Sequence, residues 1–118
     1  PQQLPDWLTQ EDLDYFVSEF EEAGFRGGVN YYRNIDRNWE LTENLDGATI
    51  EMPVGFVAGA DDIVISGANE DQLRSNMSRV ATDLRDVTVI PDAGHWIQQE
   101  KAEEVNALLL EFLAGLEE

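Results

Sequence analysis

A chain of 118 residues, 42% of them hydrophobic, has room for one small globular domain at most. Its 25 acidic against 7 basic residues give a formal net charge of −18, which repels phosphate backbones and anionic lipid and so disfavours nucleic-acid and membrane partners. No apolar run approaches the roughly 18 residues of a membrane span, the absence of cysteine excludes disulfides and thiolate metal sites, and a single histidine argues against an imidazole-based one.

Thr9 followed three residues later by Asp12 is a variant of the helix capping box. Leu13, Phe16, Val17 and Phe20 then recur at helical spacing, so a first amphipathic helix is predicted with that stripe as core. Gly24 is placed to end it in a left-handed conformation, with Phe25 available for the accompanying apolar contact. Gly27 and Gly28 read as a break before a second helix over Val29 to Trp39, which carries Asn30-Tyr31-Tyr32-Arg33-Asn34. Taken alone, both tyrosines read as packing residues with hydroxyls at the surface.

Leu41 to Glu51, with Gly47 in its middle, reads as a connection. Met52-Pro53 starts an apolar strand over Val54 to Ala58, which ends in Gly59 and then Asp61-Asp62. Asn69 with Gln72 is a second capping box, and Leu73, Met77, Val80 and Leu84 mark the helix that follows. The β-branched run Val87 to Ile90 is a short buried strand, with Pro91 and Gly94 as the turn after it. Val105, Leu108, Leu109, Phe112, Leu113 and Leu116 form the apolar stripe of a final helix that covers one face of the sheet. No internal repeat or low-complexity segment interrupts the pattern.

The one histidine, His95, sits just past the second strand, where open α/β sheets place their chemistry. An isolated histidine is more often a plain surface residue. Here Gly94 frees the backbone to turn, and Trp96 sets an aromatic wall beside the imidazole. A strand, loop and aspartate followed 33 residues later by a strand, loop and histidine is the tail order of an α/β-hydrolase, in which nucleophile, acid and histidine follow one another along the chain.

Gly59-x-x-Asp62, Gly94-His95-Trp96 and Asn30-Tyr31-Tyr32-Arg33-Asn34 together resemble the soluble epoxide hydrolases, from about Leu4 to Leu116. The resemblance implies an α/β fold: residues 1–45 the last helices of a helical cap, and residues 46–118 the carboxyl-terminal part of an α/β-hydrolase core of parallel strands with flanking helices. The family's Gly-x-x-Asp count selects Asp62 over Asp61 as the acid that holds His95. The tyrosine of the aromatic-Tyr-Arg-Asn segment, which donates to the epoxide oxygen, falls on Tyr32. Trp96 walls the pocket and Val64 lines it, although a plain core role for Val64 fits equally well. The family has proline where this chain has Ala102.

By that resemblance the substrate is a small-molecule epoxide and the product a vicinal diol. An aspartate outside this sequence attacks the epoxide and forms an ester, and His95, held by Asp62, then activates the water that hydrolyses it. An imidazole, with an ordinary pKa of about 6.5, is a suitable base near neutrality. No metal or organic cofactor is required, and a cytoplasmic setting is implied. The chain opens on Pro1 and carries no nucleophile of its own, so it reads as the last third or so of such an enzyme. It needs the missing N-terminal half, in the same or a complementing chain, and is expected to be inactive and poorly packed by itself. Two other readings stay open: a related hydrolase (a haloalkane dehalogenase or a serine esterase), and a non-catalytic acidic module that binds a partner. Asp62 and His95 serve all the hydrolases alike; Tyr32 favours the epoxide.

Overall fold

Two capping boxes, one apolar run and one β-branched run set the order of elements in a computed structural model that describes residues 3–65 and 67–116. The chain divides into two compact units, Pro1–Asp46 and Gly47–Glu118.

In the first unit, helix α1 (Gln10–Ala23) starts at Thr9, whose hydroxyl accepts from the Asp12 N–H at 3.1 Å while the Asp12 carboxylate accepts from the Thr9 N–H at 3.0 Å. The Thr9 hydroxyl, which also donates to that carboxylate, and then the Thr9 N–H hold the Asp12 carboxyl below the usual aspartate range. At the other end Gly24 has φ +67°, but ψ −179° is extended rather than left-handed helical, a pairing open only to glycine. The turn stacks Phe25 on Phe20, with ring centroids 4.9 Å apart. Two helices follow where one was predicted: α2 (Arg26–Arg33) and α3 (Ile35–Leu41). The break is at Asn34, whose side-chain amide donates to the Asn30 carbonyl at 2.8 Å and competes with regular helix continuation. Gly27 and Gly28 do not precede α2 but lie in its first turn, where the orphan N–H groups make an unfavourable helix residue least costly. The stripe of α1 is not a core here: only Leu13 is half-buried, and none of the residues of α1, α2 or α3 is fully buried.

The second unit is built on a parallel pair, β1 (Ile50–Gly59) and β2 (Ala81–Ile90), in register from Gly55↔Asp86 to Gly59↔Ile90. Both strands are longer than predicted. Pro53 lies inside β1 rather than at its entry, and the register slips on both sides of it, as a residue with no N–H to donate requires. Helix α4 (Glu70–Met77) is capped by Asn69 and Gln72 as expected, but stops at Met77 instead of running to Leu84. Val80 and Leu84 keep the helical spacing by coincidence; Leu84 is paired with Val54 across the sheet, and the ladder outweighs the local pattern. From the first residue of α4, the Glu70 carboxylate accepts the Val89 N–H at 2.9 Å, covering part of the β2 edge that faces away from β1.

After β2 come α5 (Ile97–Glu100) and α6 (Ala102–Ala114), so Ala102 opens the last helix. Ile90, Ala93 and Ile97 are buried together, with Val57, Val105 and Leu108 packed against them. Phe112 lies on Gly55, where a Cβ would come within 3.0 Å of the ring. Only one flank of the α6 stripe is used in this way. Leu109 and Leu113 remain about half exposed, because the described sheet is two strands wide and too narrow to cover them.

Candidate active site

The ends of β1 and β2 are stitched together beyond the ladder. The Ala60 N–H donates to the Ile90 carbonyl at 2.8 Å, and the Asp61 N–H donates to the Ala93 carbonyl at 2.9 Å. Gly59 lies so close to the second loop that a Cβ there would overlap the carbonyl oxygens of Ala93 and Gly94. Glycine is required at that position by space, not by an unusual dihedral angle. Of the residues in the loop after β2, it is Asp92 that takes a positive φ, +51°, rather than Gly94; aspartate is one of the few residues that tolerate it.

This stitching brings two loops together at the carboxyl ends of the strands. The Asp62 N–H closes a turn on the Gly59 carbonyl at 3.1 Å, and Asp62 Oδ1 accepts the Val64 N–H at 2.8 Å. Its other oxygen, Oδ2, lies 3.0 Å from His95 Nδ1. The two bonds to the ionised form, from Val64 first and His95 second, hold the Asp62 carboxyl below the usual aspartate range. An ionised carboxylate only accepts, so in this contact it is the His95 Nδ1–H that donates to Oδ2. The Asp62 side chain is 11% exposed and that of His95 55%, so the carboxylate is sheltered and the imidazole open to solvent. Trp96 meets the imidazole edge-on, with centroids 5.2 Å apart.

The histidine loop is pinned at both ends by apolar burial: Ala93 is 1% exposed and Ile97 5%. Between them the Glu100 carboxylate accepts the Gly94 N–H at 2.6 Å and the Trp96 N–H at 2.9 Å. Sequence reasoning did not single out Glu100. A glutamate four residues past Trp96 is the one available signal, and on a short polar helix it reads the same as a solvated charge.

The predicted site residues thus separate into two groups. Asp62, His95 and Trp96 come together in the second unit. Val64 joins them through its backbone, its side chain being largely exposed. Tyr32 lies on α2 in the first unit, exposed and edge-on to Tyr31 with centroids 5.6 Å apart. No group of three or more His, Asp or Glu side chains suited to a metal ion occurs among the described residues. Among those residues, too, no helix is long and apolar enough to cross a membrane.

A paired acid and histidine at the carboxyl ends of adjacent parallel strands define the carboxyl-terminal part of an α/β-hydrolase fold. No protein-family model matches the chain. It is 49% identical over 117 residues to epoxide hydrolase A of Mycobacterium tuberculosis, an alignment covering 99% of this chain and 35% of that protein. It is 43% identical over 115 residues to epoxide hydrolase 1 of Siraitia grosvenorii, covering 96% of this chain and 37% of that protein. Among solved structures, epoxide hydrolase A from Mycobacterium thermoresistibile superposes with a TM-score of 0.83 at 51% identity, covering 98% of this chain and 35% of that one. The chain is homologous to the C-terminal part of the epoxide hydrolases, and spans about a third of the length of the curated relatives it matches.

Proposed function

We propose that these 118 residues supply the water-activating half of an epoxide hydrolase, whose nucleophilic aspartate lies outside them. The observation that carries the reading is the Asp62–His95 pair at 3.0 Å, set on the two strand ends that the fold reserves for acid and base. The substrate is a small-molecule epoxide.

In the first step an aspartate oxygen attacks one epoxide carbon and the carbon–oxygen bond of the ring breaks. The ring oxygen leaves as an alkoxide, which takes a proton from the Tyr32 phenol. A phenol is a suitable donor because, with an ordinary pKa near 10, it still holds its proton at neutral pH. In the second step His95 Nε2 removes a proton from water and the hydroxide adds to the ester carbonyl. The alkyl oxygen departs with the proton from the imidazolium, and the carboxylic acid so formed loses its proton, by way of solvent, to the Tyr32 phenolate, which restores both the aspartate and the phenol. Asp62 stabilises the imidazolium while it exists. Trp96 and Val64 border the place where the water and substrate meet the imidazole.

Oxygen bookkeeping tests the reading. In a single turnover of the full-length protein in H2(18)O, the diol formed should carry no label, because its new oxygen comes from the aspartate. Diol from later turnovers should carry one labelled oxygen. A labelled diol in the first turnover would mean direct attack by water and would overturn the two-step reading.

A further inference from the structure

Glu100 has no place in the chemistry just described, yet its carboxylate is bound to the backbone on either side of His95. The Gly94 N–H belongs to the peptide before Gly94 and the Trp96 N–H to the peptide that leaves His95. Both bonds run to an anion, which makes them stronger than ordinary amide bonds. One planar group bound twice orients both peptide planes, and one of them is joined directly to the His95 Cα. The loop also approaches closely: a Cβ at Gly94 would come within 3.1 Å of Glu100 Oε1. Ala93 and Ile97 anchor the ends of this loop by burial, and the Asp61 N–H on the Ala93 carbonyl shares in orienting the 93–94 peptide, so it is the bond to the Trp96 N–H by which Glu100 acts on the peptide joined to His95.

We infer that Glu100 is a positioning residue for His95, orienting the imidazole so that Nδ1 stays on Asp62 and Nε2 faces the ester. The inference rests on the reading above, in which His95 serves only the second step. Loss of the brace then slows ester hydrolysis and leaves ester formation nearly untouched.

Glu100→Gln and Glu100→Ala in the full-length protein test this, with Glu104→Gln, an exposed neighbour on α6, as control. Single-turnover mass spectrometry separates the two steps. The (15)N signals of the His95 imidazole, assigned by their loss in His95→Gln, report which nitrogen holds the proton. Glutamine keeps one acceptor oxygen, so hydrolysis should fall about tenfold in Glu100→Gln and further in Glu100→Ala, as small misplacements of reacting groups do. Ester formation should stay within about twofold, and the share of Nδ1-protonated imidazole should fall. Both steps falling in proportion with the Tm, with unchanged imidazole signals, would reduce Glu100 to a structural residue and overturn the inference; so would no change in any readout. If the full-length protein forms no ester from an epoxide, the proposed function fails. The imidazole signals then decide for Glu100 alone: a shift in Glu100→Gln upholds the brace, and no shift refutes it.

Discussion

Of two adjacent carboxylates, only Asp62 has one oxygen on a backbone N–H and the other on the imidazole; Asp61 uses its N–H to tie the two loops together and leaves its side chain exposed. Nothing in the sequence ranks one above the other except the count from Gly59, and the structure supplies the reason. The turn that Asp62 closes on the Gly59 carbonyl directs its side chain at the second loop. Asp62→Asn should lower turnover by about 10³- to 10⁴-fold, as loss of the triad acid does in serine proteases. Asp61→Asn should change it little. The same substitution has a pH signature. A carboxyl held below its ordinary value contributes stability above that value, near pH 4, and the contribution is lost as pH falls through the lower folded-state value. The Tm gap between the wild type and Asp62→Asn should therefore be full above about pH 5 and narrow as the pH falls below the ordinary aspartate range. A gap that widens on acidification would contradict the assigned bonds. Tyr32 is the other residue-scale test. Tyr32→Phe should slow ester formation by up to about 10²- to 10³-fold and leave ester hydrolysis intact. If Tyr31→Phe is the damaging change instead, the assignment along α2 is wrong.

Both capping boxes could be read from the sequence because each rests on contacts within a few residues, and the centres of both strands because an apolar run marks each of them locally. What could not be read depended on partners far along the chain. Leu84 has the spacing of a helix and the environment of a strand, and only its pairing with Val54 decides between them. The Asn34 break turns on a side chain that competes for a carbonyl four residues back, which apolar periodicity does not register. Gly59 is the clearest case. It reads as a mere end to the strand, yet its lack of a side chain allows the acid and histidine loops to touch. Gly59→Ala should cost about 1–3 kcal/mol from overpacking and should lower activity more than that stability loss explains, because the Cβ drives the histidine loop away from Asp62. Thermal unfolding and steady-state kinetics on the same variant check this; full activity with a lowered Tm would detach the loop contact from the site.

At the level of the molecule, α6 and the helices of the first unit carry more apolar surface than the described residues cover, with Trp39 81% and Leu110 67% exposed. Large exposed apolar faces mark surfaces made to be covered. The relatives are almost three times the length of this chain; the further strands of an α/β-hydrolase sheet for α6, and the further helices of a cap for the first unit, are the covering that the proposed function implies. Residues 1–118 by themselves should accordingly turn over no epoxide and unfold without a sharp transition. A cooperative melt of the monomer would show that the pair of strands suffices for packing, and diol formation would place a nucleophile among these residues.

The central claim is that His95 acts on the ester and not on the epoxide. A carboxylate nucleophile is already ionised at neutral pH and needs no base, whereas a serine hydroxyl depends on histidine to take its proton. Intact-protein mass spectrometry of full-length His95→Gln after mixing with an epoxide reads the difference directly. The account predicts a stable mass increase of one substrate, with no diol released. No adduct together with abolished activity would indicate a serine-type first step, and unchanged turnover would remove His95 from the reaction; either result contradicts the account.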